Sequence, residues 1–138
     1  MALRKLALVA VAALAAVACG GTSSTGTTTG STIVLGAPLG LTGSLTKESI
    51  LTQQGYNLWQ DWINERGGIV VNGVKHPVTI KYYDDTSSAN QSAVLMQKLI
   101  TEDKANFLLG PYGSAATATD AAIAEQNEIP MVEANGAA

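Results

Sequence analysis

Few residues of this 138-residue chain could perform chemistry. With a single cysteine, Cys19, and a single histidine, His76, neither a Ser–His–Asp or Cys–His catalytic set nor a multi-histidine metal cluster can be assembled. The adjacent carboxylates Asp84 and Asp85 could serve as an acid–base pair or hold a metal ion. They follow a predicted strand and precede a predicted helix, which favours a role in capping and turning. The pattern predicts a protein that is not an enzyme.

Cofactor and nucleic-acid sites are not predicted either. The glycine-containing loops at residues 40–44 and 110–114 lack the spacing of dinucleotide-binding and phosphate-binding loops, so we expect no cofactor. The formal net charge is −3 and the isoelectric point is near 4.9. An acidic surface repels phosphate backbones, which argues against nucleic acid as a partner.

The first residues have the pattern of a secretion signal. Arg4 and Lys5 precede an uncharged apolar run over residues 6–18, which is too short to span a membrane but suits a signal-peptide core. We therefore predict that residues 1–18 are a signal peptide. Without it, six basic residues oppose eleven acidic ones, so the mature domain is acidic.

Cys19 stands at the end of this signal. The sequence Ala16-Val17-Ala18-Cys19 resembles the bacterial lipoprotein box, which implies cleavage before Cys19 and lipid attachment to that residue. The alternative is an ordinary signal peptide cut after Ala18, with Cys19 as an incidental thiol. Residues 20–32 contain only Gly, Ser and Thr, so residues 19–32 are interpreted as a lipidated cysteine and a flexible tether. The membrane, reached through a lipid anchor, is thus an expected partner.

Strand and helix patterns alternate after the tether. Short apolar or alternating runs predict strands at residues 33–39, 77–83, 106–109 and 129–132. Helical spacing predicts helices from about residue 49 to the Gly67-Gly68 stop, from 89 to about 103, and from 115 to about 127. Asn72-Gly73 between β-branched residues predicts a hairpin turn.

The apolar residues of the first helix recur at three- and four-residue steps, which predicts one packed face made of Leu51, Gly55, Leu58, Trp59, Trp62 and Ile63. The two tryptophans are accordingly interpreted as core or partial core rather than as a stacking platform. The third helix has small side chains, which allow close packing.

The element order β-α-β-α-β-α-β predicts an α/β fold with an open, parallel, doubly wound sheet. In such sheets, ligands bind outside the carboxyl ends of the strands. Four predicted loops occupy that edge, at residues 40–48, 84–89, 110–114 and 133–138.

An ordered set of motifs connects the predicted loops and helices. They are Gly40-Leu41-Thr42-Gly43, Gly55-Tyr56, Asn64-Glu65-Arg66-Gly67-Gly68-Ile69, Tyr82-Tyr83-Asp84-Asp85, Gly110-Pro111-Tyr112-Gly113-Ser114 and Ile129-Pro130-Met131-Val132. With them, residues 33–138 resemble the amino-terminal lobe of leucine/isoleucine/valine-type periplasmic binding proteins. Members of that family are the solute receptors of ABC importers for branched-chain amino acids, amides and urea. The resemblance implies the first lobe of a type I periplasmic-binding-protein fold, with the second lobe absent.

The resemblance also implies where a ligand is held. In this family the ligand carboxylate lies against N–H groups at the start of the third helix, beside a serine hydroxyl, which corresponds to Ser114 and Ala115. A helix amino terminus suits an anion, although Ser114 could also simply cap its helix. The full predicted ligand-binding set is Glu48, Tyr112, Gly113, Ser114, Ala115, Asn135, Gly136 and Ala137.

The other positions of the predicted set differ in their expected roles. Asn135 matches a position that offers a carbonyl, whereas Ala137 lacks the hydroxyl of relatives with Thr or Ser there, so backbone or water would have to replace it. Tyr112 could wall a side-chain pocket or simply pack on the surface. Glu48 matches a pocket position in the first loop, where a carboxylate favours a cationic or polar ligand; the alternative is a solvated loop charge.

The function implied by the resemblance is the substrate-binding component of an ABC importer. Such a receptor captures a small polar solute between two lobes and delivers it to a permease, at the outer face of the plasma membrane or in the periplasm. The sequence stops inside a predicted ligand loop, which indicates a fragment of a longer protein. Alternatives are a secreted small α/β enzyme or flavodoxin-like module, which would need a cofactor loop, and an extracellular sensor domain built on the same lobe.

Overall fold

Helices and parallel strands alternate along the chain. The computed structural model describes residues 29–136. The elements are β1 (Ile33–Leu39), α1 (Thr46–Glu65), β2 (Ile69–Val71), β3 (Val74–His76), β4 (Val78–Asp84), α2 (Ala89–Thr101), β5 (Phe107–Leu109), α3 (Ser114–Gln126) and β6 (Met131–Val132). This order confirms the predicted alternation, with the expected hairpin as β2 and β3.

The main sheet has four parallel strands in the order β4-β1-β5-β6. Its centre is β1, which pairs with β4 from Ile33↔Val78 to Leu39↔Asp84 and with β5 at Leu35↔Phe107. The predicted open parallel α/β fold is therefore confirmed. Since every strand runs the same way, the loops that follow all four strands meet at one edge.

Helices cover both faces of the sheet. On the α1 side lies an apolar cluster of Leu35, Ala37, Val78, Ile80 and Leu109. On the other side, strand and loop residues pack with α2 and α3 in a second cluster of Met96, Leu99, Ala105, Leu108 and Ala124. Right-handed crossovers explain the division, because the connection from β1 to β4 runs across the sheet in the opposite direction to the connections that lead to β5 and β6.

The buried face of α1 differs from the predicted one. Leu58 is 72% exposed and Trp62 is 48% exposed, so the prediction that these side chains pack in the interior is wrong. The Trp62 ring instead lies 4.0 Å from the Arg66 guanidinium carbon. The side chains that pack on the sheet cluster from α1 are Tyr56 and Ile63.

Polar side chains on the buried face of α1 explain that difference. The Asn64 amide donates to the carbonyl of Val78 and accepts from its N–H, both at 2.8 Å. The Gln60 side-chain oxygen accepts from the N–H of Ile80 at 2.6 Å. Strand β4 is an edge strand, and α1 in this way pairs the outward backbone groups of Val78 and the N–H of Ile80, which no neighbouring strand pairs.

The last residues of the expected tether are paired. Thr29 forms a parallel bridge with Lys75, and the Gly30 N–H donates to the Lys75 carbonyl at 2.7 Å. The His76 ring nitrogen Nδ1 lies 2.8 Å from the Ser31 carbonyl oxygen. The chain thus enters β1 along strand β3.

Candidate functional site

The loops after β1 and β4 hold each other at the carboxyl edge of the sheet. The Thr42 hydroxyl donates to Asp84 at 2.7 Å. The Ser87 hydroxyl donates to the Thr42 carbonyl at 2.7 Å and accepts from the Leu45 N–H at 3.0 Å. These bonds fix the segment that leads into α1.

Asp84 and Asp85 shape this edge, as the capping-and-turning interpretation predicts. Burial tends to raise the pKa of Asp84, but hydrogen bonds from Thr42 and Thr86 outweigh it and hold that pKa below its ordinary value. Burial raises the pKa of Asp85, which accepts from the Ser87 N–H at 2.7 Å. Both carboxylates are therefore occupied in stabilising turns.

Helix α3 begins at this edge without a capping side chain. Its N-cap is Gly113, with φ at 101°, a conformation that favours glycine. The Thr117 N–H makes the first intrahelical bond, to the Gly113 carbonyl at 3.0 Å. Ser114 is thus the first helical residue rather than the N-cap, and the N–H groups before Thr117 have no acceptor within the helix. Such a helix start can hold an anion.

A cavity of about 170 Å³ opens at this helix start. The residues that line it are Leu45, Asp85, Ser87, Ala89, Tyr112, Gly113, Ser114, Ala115 and Ala116. Four residues of the predicted ligand-binding set therefore share one cavity. The residues from the β1 and β4 loops were missed, since only the folded sheet brings them beside α3.

A larger cavity of about 460 Å³ lies next to it. Its lining consists of Glu48, Leu51, Thr52, Gly55, Tyr56, Tyr112 and Asn135. The structure thus brings together Glu48, Tyr112 and Asn135, three residues of the predicted set. Tyr112 contributes to the lining of both cavities.

Glu48 lies in the first turn of α1 rather than in a loop. The helix begins at Thr46, three residues before the predicted start. Thr52, Gly55 and Tyr56 therefore lie on the same helix face as Glu48, at steps of four, seven and eight residues. That spacing was the signal that could have identified the missed lining residues.

Tyr56 fastens α1 to the loop before α3. Its hydroxyl donates to the Gly110 carbonyl at 2.8 Å. Burial raises the pKa of Tyr56 to about 12; the nearby Glu133 carboxylate adds to the effect, and a hydrogen bond with the Asn135 side chain opposes it. The phenol therefore stays protonated and acts as a fixed donor.

The Glu133 carboxylate organises the loop after β6. It accepts from the N–H groups of Asn135 and Gly136, the latter at 2.8 Å, and from the Thr117 hydroxyl at 3.2 Å. Gly136 and Ser114 line a third cavity of about 210 Å³ beside this carboxylate. Ala137 of the predicted ligand-binding set and Cys19, the predicted site of lipidation, lie outside the described residues.

A buried carboxyl lies under the edge, between α2 and α3. The Ser92 hydroxyl donates to Asp120 Oδ2 at 2.7 Å, and both side chains are fully buried. Burial raises the pKa of Asp120 to about 7, with Asp85 and Glu133 adding to the effect and Ser92 opposing it. The second oxygen, Oδ1, has no hydrogen-bond partner among the described residues.

The lining of these cavities combines hydrogen-bond donors, aromatic rings and carboxylates. Over residues 29–136, no group of three or more His, Cys, Asp or Glu side chains is placed to hold a metal ion. The site offers helix N–H donors, an aromatic wall and carboxylates, which are the elements of solute recognition.

Residues 32–138 match the family described as periplasmic binding protein. The chain belongs to that family. The family and its structural neighbours are substrate-binding proteins, which confirms the expectation that this protein is not an enzyme. Membership implies a periplasmic or envelope location. Across residues 29–136, the longest helix is not apolar enough to serve as a membrane span.

Solved structures of periplasmic binding proteins share the fold. LivJ, the branched-chain amino acid transporter substrate-binding protein of Streptococcus pneumoniae, was solved with isoleucine and is 29% identical, with a TM-score of 0.70. A putative branched-chain amino acid ABC transporter protein from Rhodospirillum rubrum is 25% identical, with a TM-score of 0.69. A Rhodopseudomonas palustris solute-binding protein in complex with benzoate is 23% identical, with a TM-score of 0.64, and shows the fold alone.

The aligned portion is one lobe of these longer proteins. The matches cover 78% of this chain and 30% of LivJ, 78% and 30% for the R. rubrum protein, and 76% and 28% for the benzoate-bound protein. The present chain therefore corresponds to one lobe of the type I periplasmic-binding-protein fold.

Proposed function

We propose that this protein is the substrate-binding component of an ABC importer for an amino acid or a related amide or urea. The solute is captured between two lobes, of which this chain supplies the first, and is passed to a membrane permease. The ligand lies at the carboxyl edge of the sheet, across the two cavities that share Tyr112.

The observation that carries this proposal is the start of α3. Ser114 and Ala115, the first residues of α3, line the smaller cavity, where the positive end of the helix suits the carboxylate of an amino acid or the carbonyl of an amide. The adjoining cavity leaves room for a side chain. Neighbours of this fold are named for amino acids and for benzoate, which supports a small solute as the ligand class.

Calorimetric titration of the complete protein, with both lobes, tests the assignment. The solutes are leucine, isoleucine and valine, acidic and basic amino acids, an amide and urea. We expect at least one to bind in the micromolar range or tighter, and Ser114→Ala to weaken it by about three- to ten-fold through loss of one hydrogen bond.

Thr101→Ala is the matched control, because Thr101 lies at the far end of α2 and its hydroxyl donates to the Gln97 carbonyl. This variant should bind the same solute with the affinity of the unmodified protein. An absence of heat with every solute, together with a co-purified nucleotide or flavin, would overturn the receptor assignment.

We further propose that Cys19 carries the lipid anchor and that residues 1–18 are removed. The support is the apolar run before Cys19 and the Gly/Ser/Thr segment after it. In cells, the unmodified protein should sediment with membranes and Cys19→Ala should move to the soluble fraction. Mass spectrometry of the mature amino terminus should find a cysteine with diacylglycerol on its sulfur and an acyl chain on its amine. An unmodified thiol there contradicts the anchor.

A further inference from the structure

The charged side chains around the cavities are all of one sign. The three cavities at the carboxyl edge are lined by Glu48, Asp85 and Glu133 and by no lysine, arginine or histidine among the described residues. Asp85 and Glu133 are engaged by backbone N–H groups of their own loops. Glu48 differs, because it lines the larger cavity together with two aromatic rings.

No basic group of the described lobe neutralises Glu48. Within residues 29–136 the ion pairs are Lys81–Asp103 and Lys98–Glu102, and none of these four residues lines any of the three cavities. Lys47, beside Glu48 in sequence, is exposed and does not line the cavity. The carboxylate therefore leaves the larger cavity negative.

The two rings of that cavity suit the same ligand chemistry. Tyr56 and Tyr112 line it with Glu48, and the hydrogen bond of Tyr56 to Gly110 holds its ring in place. An aromatic face attracts a cation through its quadrupole, and a nearby carboxylate adds direct charge attraction. A purely aliphatic side chain would leave Glu48 partly desolvated without a partner, which is unfavourable.

The two cavities differ in the charge they prefer and meet at Tyr112. The smaller one presents the positive end of α3, with the Asp85 carboxyl engaged by the Ser87 N–H of its own loop, and the larger one presents Glu48 with the tyrosines. We infer that the solute is an amino acid whose side chain is positively charged, with its carboxylate at Ser114 and Ala115 and its side-chain cation beyond Tyr112, near Glu48. This inference rests on the proposed function and specifies its substrate class.

Paired titrations of the complete protein, with both lobes, with L-lysine and L-norleucine test the inference. The two solutes have the same chain length, and norleucine lacks only the side-chain ammonium. We expect lysine to bind at least ten-fold more tightly, a preference that should decrease between 50 and 500 mM salt because charge attraction is screened. Glu48→Gln should reduce the lysine preference to about three-fold or less, with norleucine affinity unchanged or improved.

Glu65→Gln is the matched control, since Glu65 is the exposed last residue of the same helix. It should keep the full preference for lysine. Tyr112→Leu should weaken lysine more than norleucine, and circular dichroism identifies any variant that fails to fold.

The outcomes separate this inference from the proposed function. If norleucine, isoleucine or benzoate binds as tightly as lysine, or if Glu48→Gln leaves the preference intact, the cationic substrate class is wrong and the receptor assignment stands. If no amino acid, amide or urea binds, both are wrong.

Discussion

The Tyr56 hydroxyl donates a 2.8 Å hydrogen bond to the Gly110 carbonyl and thereby joins α1 to the end of β5. Gly110 is buried and begins the loop that leads to α3. The bond connects the helix that walls the larger cavity with the loop that carries Tyr112, the residue common to both cavities. The relative position of the two cavities therefore depends on this contact.

Tyr56→Phe should lower the free energy of unfolding by about 1 kcal/mol or more, because it removes the donor and leaves the buried Gly110 carbonyl unpaired. Urea unfolding of the purified protein measures this change. Tyr82→Phe is the control, since the Tyr82 hydroxyl donates to Asn57 at 2.8 Å on the exposed surface. It should cost less than about 0.5 kcal/mol; equal costs for the two variants would contradict the role given to Tyr56.

Asp120 should make stability fall as pH rises. Its folded-state pKa of about 7 lies above its ordinary value, so the folded protein holds a proton that the unfolded chain releases. The stability that Asp120 contributes is thus fully present below about pH 4 and is lost as the pH rises to about 7. Asp120→Asn should remove that decline and gain about 1–3 kcal/mol at pH 8.

Urea titrations between pH 4 and pH 8 check the Asp120 prediction. The groups that act on Asp120 are Ser92 on α2, Asp85 after β4 and Glu133 after β6. Asp61→Asn changes an exposed carboxylate on α1 and should leave the pH slope unaltered. If the free energy of unfolding of Asp120→Asn still falls between pH 4 and pH 8, other carboxyl groups cause the decline.

Gly113→Ala should destabilise the start of α3. At a φ of 101°, a side chain costs about 1–3 kcal/mol. Gly55→Ala is the opposite case, since Gly55 is exposed in α1 and an added methyl meets no atom within 4 Å. That variant should gain about 0.5–1 kcal/mol through helix propensity. The melting temperatures from thermal unfolding should shift in opposite directions, down for Gly113→Ala and up for Gly55→Ala. A higher melting temperature for Gly113→Ala would contradict the need for glycine at this N-cap.

Asn64→Leu should expose the edge of the sheet. The substitution leaves the Val78 N–H and carbonyl without their partner, which we expect to cost about 2 kcal/mol or more. An unpaired edge also invites association, so light scattering should detect larger species. Glu65→Leu adds an apolar side chain at the adjacent exposed position and serves as the control. If both variants aggregate alike, hydrophobicity rather than the open edge is the cause.

The sequence alone predicted the element types and their parallel arrangement. Alternating strand and helix periods allow few topologies, and right-handed crossovers reduce them further. The Asn72-Gly73 turn was equally predictable, because both residues adopt the positive φ values that a two-residue hairpin needs. The start of α3 followed from its loop of glycine and proline before a run of helix-forming residues.

Periodicity failed for the buried face of α1. The apolar residues Leu58 and Trp62 face away from the sheet, while the polar residues Gln60 and Asn64 face β4. A sequence pattern ranks side chains by hydrophobicity, so it cannot recognise an amide that satisfies an edge strand. Only the placement of β4 at the edge reveals that need.

By itself, the sequence predicted the family through the resemblance carried by its ordered motifs. Local propensity and strand direction predicted the α/β order and the loops that can carry a site. The tertiary structure decided that Glu48 and Asn135 share a cavity with Tyr56, and that Asp120 is buried between two helices. Those relationships join residues far apart in the chain. They arise from strand order and helix packing, which no local pattern encodes.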